Sequence, residues 1–203
     1  MPRLPLSGYG FIMPFDRRKQ RSRAGHPGLV AAALTLALVV PPHAAGTAVL
    51  TVSATVDANC TMTASPVSFG RYESLLTNAT APLNGAGAVS IACTKGSAPK
   101  ITMDLGRNPN GGRRHMALAA AGAPGPAETL LYYELYQPPS SAPGTGCSFP
   151  GTMAWGPSGA QTFAPGPSAA RGSRTYSVCG TIPAGQDVSM GSYADMVVAT
   201  VNF

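Results

Sequence analysis

Residues 195–203 read DMVVATVNF. Val197, Ala199, Val201 and Phe203 fall at every second position, so in an extended strand they share one face, with Val198, Thr200 and Asn202 on the other. The same period of two recurs upstream. Residues 49–56, VLTVSATV, set Leu50, Val52, Ala54 and Val56 against Thr51, Ser53 and Thr55. Val89, Ile91 and Cys93 alternate with Ser90 and Ala92; Ile101, Met103 and Leu105 with Thr102 and Asp104; Tyr176 and Val178 with Thr175, Ser177 and Cys179. In residues 130–136, Leu131, Tyr133 and Leu135 oppose Tyr132, Glu134 and Tyr136. Turn clusters separate the runs: Asn84-Gly85, Asn108–Gly112, Pro138–Gly151 and Pro165–Pro167. Six or seven short strands punctuated in this way predict an all-β chain folded as an antiparallel sandwich.

Composition agrees. The 203 residues include 24 Gly and 20 Pro, and only 11% are charged, too few for a coiled coil or long-helix protein. With 44% hydrophobic residues, the chain is not a charged disordered polymer either.

Ahead of the first alternating run lies a leader. Residues 13–27 are basic, Leu29–Val40 is an uninterrupted apolar run, and small residues follow Pro41-Pro42 up to Ala48. This order predicts a secretory signal peptide over residues 1–48, cleaved near 45–48, with Met13 as an alternative start. The apolar run is shorter than the roughly 20 residues of a membrane span, so none is expected once the leader is removed. The leader also carries most of the charge. Of 14 basic and 8 acidic residues (net +6), cleavage removes six basic ones and one acid, leaving eight against seven, or +1. No basic patch remains to neutralise a phosphate backbone, so nucleic acid is excluded as a partner. Cys60, Cys93, Cys147 and Cys179 all lie in the exported part, and an even count in an oxidising compartment predicts two disulfides. Their spacing contains no Cys-x-x-Cys pair, which argues against zinc; no cofactor is expected.

Two ends of this layout stand out: an apolar strand runs up to Phe203, and an alternating segment starts as soon as the leader ends. An apolar strand at a sheet edge exposes unpaired N–H and C=O groups, and a strand from another chain can satisfy them. The pattern alone leaves two readings open: residues 49–56 pair with the chain's own C-terminal strand, or they are donated to a neighbour.

Several short motifs occur in a fixed order: Cys60, Phe69-Gly70-x-Tyr72, VSIACT at 89–94, Gly106, Arg114-x-Met116, LYYELY at 131–136, Trp155-Gly156, Gly180-x-Ile182-Pro183, and Gly191-x-Tyr193-x-Asp195 leading into VVATVNF. In this order the mature chain resembles the spore coat protein U domain family, which includes pilin subunits of archaic, Csu-type chaperone–usher pili. The resemblance implies an incomplete immunoglobulin-like sandwich, residues 59–203, lacking its last strand. Residues 49–58 would then be an N-terminal donor extension, with Leu50, Val52, Ala54 and Val56 inserting into a neighbour's groove and Val197, Ala199, Val201 and Phe203 lining one wall of it. Implied partners are identical or related pilin subunits, a periplasmic chaperone and an outer-membrane usher. The implied location is a surface pilus or a spore coat, with a role in adhesion and biofilm. The family also implies a Cys60–Cys93 disulfide, closing a loop for which the chain-entropy model gives roughly 3–4 kcal/mol. Inward parity with Val89 and Ile91 predicts that this bridge is buried. Cys147 and Cys179 depart from the family pattern. They read as an added bridge on the outer face that pins the long Pro- and Gly-rich link of residues 138–154.

No grouping suggests an enzyme. A triad would have to use His115, which sits beside Arg113 and Arg114 in a turn-rich stretch, and a solvated loop histidine is the simpler reading. Glu128 and Glu134, six residues apart on a strand, would stand roughly 20 Å from each other, too far for paired glycosidase carboxylates; Glu134 reads as solvent-facing. Tyr132, Tyr133, Tyr136 and Trp155 are candidates for a sugar-stacking platform, and the alternative function is a self-contained carbohydrate- or surface-binding adhesin module whose loop 138–160 contacts sugars or a surface. Tyr193 is expected to form a tyrosine corner, Asn78-Ala-Thr80 is a glycosylation sequon by pattern only, and Gly106–Gly112 reads as a flexible turn.

Overall fold

A computed structural model describes residues 45–119 and 127–203. The predicted signal peptide therefore lies, up to residue 44, outside the described residues. The chain divides into two units, Met1–Thr51 and Val52–Phe203. Of the first, residues 45–51 carry no regular secondary structure and are exposed.

The second unit is an all-β sandwich. Its strands are β1 (Cys60–Ser68), β2 (Leu83–Cys93), β3 (Lys100–Met103), β4 (Arg114–Leu118), β5 (Leu130–Tyr136), β6 (Arg174–Ile182), β7 (Tyr193–Ala194) and β8 (Ala199–Asn202), with three short 3₁₀ turns. Six strands form one antiparallel sheet in the order β1-β2-β6-β5-β4-β7, and β3 and β8 pair separately. Between the layers lie Val89, Ile91, Ile101, Met103, Leu131, Tyr133, Leu135, Trp155, Phe163, Tyr176 and Val178, all buried. These are the inward positions of the alternating runs, and the opposite parity in β5 is only half-buried.

Where the sequence reading and the structure differ, there is a physical cause. Residues 52–59 form no strand; period-two alternation shows which side chains would share a face, and pairing needs a partner as well. β1 carries no sustained alternation because it is an edge strand with a bulge: its register against β2 shifts between Ser65 and Ser68, at Pro66, which has no N–H to donate. β2 and β6 pack tightly beneath that bulge. A Cβ on Gly87 would stand 2.8 Å from the Pro66 carbonyl, and one on Gly180 would stand 2.5 Å from the Phe69 ring.

β4 reads as a turn because of its charges, yet Arg114 is 2% exposed. Its guanidinium donates from Nε to the Asp104 carbonyl (2.9 Å), from Nη2 to the Trp155 carbonyl (2.6 Å) and from Nη1 to Glu134 Oε1 (2.7 Å). Glu134 is thus an ion-pair partner and not a free solvent-facing residue, and His115 sits on a strand, half-buried against Tyr132. Glu128 lies in a 3₁₀ turn. Residues 153–163 cross between the layers: Trp155 donates its N–H to Leu135, Gly156 accepts from Met103, and Phe163 exchanges both backbone bonds with Ile101. That side of the sandwich is closed.

Disulfides join Cys60 to Cys93 and Cys147 to Cys179. Cys93 is buried and Cys60 half-buried. Cys179 shares the outer parity of Thr175 and Ser177 but is 1% exposed. The loop bearing Cys147 lies over it, with Ser177 Oγ donating to the Thr145 carbonyl and Gly144 donating to Thr175.

Removing one partner of a buried ion pair leaves the other uncompensated. Arg114→Ala is therefore expected to lower unfolding free energy by about 3–5 kcal/mol, measured by urea denaturation with Trp155 fluorescence, and Arg114→Lys should recover only part of that because it cannot fork between carbonyl and carboxylate.

An apolar groove at the open edge

Opposite the closed side, β1 is the edge of the larger sheet and β8 the edge of the smaller. A groove of about 520 Å³ runs between them. One rim is Ala64, Ser65, Pro66 and Val67 of β1; the other is the segment from Tyr193 to Val197, with Ala199. The floor is core: Val89, Met103, Met116, Tyr133, Leu135 and Val178. Phe69 continues the floor into a second depression lined also by Tyr72, Leu131, Ile182 and Val188.

Register shows which backbone groups face the groove. Asp104 donates to the Val198 carbonyl, so the even residues of β8 bond to β3. Antiparallel pairing then turns the N–H and C=O of Ala199 and Val201 to the open side. On the other rim Thr94 donates to the Asn59 carbonyl, so the odd residues of β1 bond to β2 and the even ones, Met62 and Ala64, point outward.

One charged side chain stands in the groove. Asp195 Oδ2 accepts from the Tyr133 hydroxyl (2.6 Å), and its Oδ1 accepts from the Arg107 N–H and the Asn108 side chain, both at 2.9 Å. The carboxylate therefore ties the expected flexible turn at 106–108 to the groove floor. Burial pushes the Tyr133 phenol up from the ordinary value, and the hydrogen bond to Asp195 and its charge push it further the same way. Tyr193, also raised by burial, donates to the Ser189 carbonyl at 2.6 Å, four residues upstream, as a corner residue does.

The residues singled out from sequence fall as follows. Val197 and Ala199 line the groove; Val201 is half-buried on the same face and Phe203 lies beyond the lining. Leu50, Val52 and Val56 are 85%, 86% and 81% exposed. Trp155 and Tyr133 are core residues, so the four-ring sugar platform does not form; only Tyr132 and Tyr136 are partly accessible. Asn78 is buried, accepting from the Glu73 N–H and donating to the Ala81 carbonyl, which removes it as an acceptor for glycan. The β1 rim escaped the sequence reading, since Ala64, Ser65 and Pro66 carry no periodic signal. Among the described residues no group of three or more His, Cys, Asp or Glu side chains is placed to hold a metal ion. No helix of the described residues is long and apolar enough to cross a membrane.

A model of the Spore Coat Protein U domain family matches residues 46–200. No curated protein matches the chain. Among solved structures, the chain is similar to the crystal structure of the CsuC–CsuE chaperone–tip adhesion subunit pre-assembly complex from archaic chaperone-usher Csu pili of Acinetobacter baumannii. The identity is 21% and the TM-score 0.48, over 73% of this chain and 41% of that one, so this chain spans about two fifths of that chain's length.

The Tyr133 bond gives a prediction with a sign. A phenol whose folded-state value lies above its unfolded one stabilises fully below pH 10 and loses that contribution as pH climbs beyond it. Tyr133→Phe should cost about 1.5–3 kcal/mol at neutral pH, the range for a hydrogen bond to a charged group, and should flatten the loss of stability above pH 10, both read from urea midpoints across the alkaline range.

Proposed function

The chain belongs to the Spore Coat Protein U domain family, and on that premise we propose that it is an exported structural subunit of a surface fibre, joined to its neighbours by donor-strand exchange. The observation that carries this reading is the groove between β1 and β8: an apolar trough with core residues for a floor and unpaired backbone on both rims. One added strand would satisfy both edges and cover the floor.

The occupant is the tail of a second copy. Leu50, Val52, Ala54 and Val56 present one apolar face at the spacing a strand needs, and the three large ones stand exposed in the free chain. Sinking four such side chains is worth on the order of 5–10 kcal/mol gross, with the backbone ladder added and the cost of ordering the tail deducted. A periplasmic chaperone shields the groove before assembly, and an outer-membrane usher exports the growing fibre, which serves attachment and biofilm at the cell surface.

The test is a single charge. Val52→Asp on the donor face should abolish the ladder of multimers on non-boiled electrophoresis while still yielding a soluble chaperone-bound subunit, because the chaperone contacts the groove and not the tail. Multimers of normal length from this variant would refute the assignment of the tail.

A further inference from the structure

A tail tethered to its own body reaches the body's own groove at millimolar effective concentration whenever the linker can span the distance. Here it can. The groove begins at Ala64, four residues along β1 from Cys60, or about 14 Å, and residues 49–56 would lie beside β1 after a reversal at 57–60. A subunit that must wait for a neighbour therefore needs something to prevent that reversal.

The structure holds residues 57–59 to the end of β2. The Thr94 N–H donates to the Asn59 carbonyl at 2.8 Å, and the Asn59 N–H donates back to Thr94 Oγ1 at 3.1 Å. The same hydroxyl lies 3.3 Å from the Asp57 carbonyl and 3.4 Å from that of Asn59. Both contacts are to Thr94, the residue that bonds Asn59 from the β2 side, so residues 57–59 are held on the flank of β1 away from the groove, opposite to the side on which the tail would have to turn. One residue further on, Cys60 is bonded to Cys93. The β1–β2 ladder is thus prolonged past Cys60 in β1's own direction.

We infer that Thr94 is a positioning residue for assembly: by holding Asp57 and Asn59 against the end of β2 it keeps the donor tail from folding back into its own groove, so that the groove is filled by another molecule. This rests on the donor-strand reading of residues 49–56. It adds that the choice between self-filling and exchange is set at the root of the tail, by the pairing of Thr94 with Asn59 beside a disulfide and by the Thr94 hydroxyl that extends this hold to Asp57.

The experiment uses the purified, oxidised full-length mature chain and a synthetic peptide of residues 49–57. Fluorescence anisotropy measures peptide binding, and hydrogen exchange measures protection of amides 50–56. Wild type should bind peptide with its tail amides unprotected. Thr94→Val, which keeps the shape and removes the hydroxyl, should bind peptide about fivefold to tenfold more weakly, the loss of a net hydrogen bond or slightly more, with tail amides becoming protected and the monomer fraction rising. Thr94→Ser should behave as wild type. If Thr94→Val loses the near-ultraviolet signal of buried Trp155, a Gly-Gly insertion after Ala58 replaces it, with the same expected direction. Unchanged peptide affinity and an unprotected tail in the variant would overturn the clamp while leaving donor exchange intact. A wild type that binds no peptide would overturn the donor reading itself, and the clamp with it.

Discussion

The fold turns on two sheet edges, β1 and β8, that flank an apolar groove with no strand of the described residues between them. Every backbone N–H and C=O in a strand has to find a partner or water, and in this body the side formed by residues 153–163 meets that need within the chain through bonds to Leu135, Met103 and Ile101. The side between β1 and β8 does not. Ala199 and Val201 on one rim and Met62 and Ala64 on the other turn their backbone groups outward over an apolar floor. Satisfying those groups with water would leave the half-buried Val67, Phe69, Met116 and Val197 partly wet, so the free energy of filling the gap combines hydrophobic burial with ladder formation.

A sandwich short of one wall has to draw stability from elsewhere. The devices that supply it lie around the groove and leave its mouth clear. Arg114 links β4 and β5 to the end of β3 and to Trp155 on the closed side. Asp195 is held from below by Tyr133 and from behind by Arg107 and Asn108, which keeps the rim segment in place without filling the space above it. Cys147–Cys179 fastens the Pro-rich loop over the outer face of β6.

Alternation revealed the inward faces of β2, β3, β5 and β6 because these strands have an apolar core on one side and solvent on the other. It failed at β4, where a buried guanidinium occupies an inward position and reads as surface. It failed again at β1, where the groove leaves Ala64, Ser65 and Pro66 with little to pack against, and small or polar residues suffice. Half of the candidate site was therefore visible, as Val197 and Ala199, and the facing rim was not. In residues 49–56 the period was plain, but a period records which residues share a face and says nothing about which molecule covers it. The Thr94 clamp carries no pattern at all: it depends on a pairing 35 residues away that only the β1–β2 register creates.

The position of that clamp also decides how a joint built as proposed would carry load. A pull along the tail arrives at Asn59, at the start of the edge strand. Carried by β1 alone, it would strain a ladder that is bulged at Pro66 and partnered on one side only. The Cys60–Cys93 bond and the paired Asn59 and Thr94 pass it at once to the end of β2, which is hydrogen-bonded along its length between β1 and β6. The same contacts that direct the tail outward thus deliver tension to one of the most fully paired strands in the body, so that the orientation of the donor and the strength of its attachment follow from one piece of geometry.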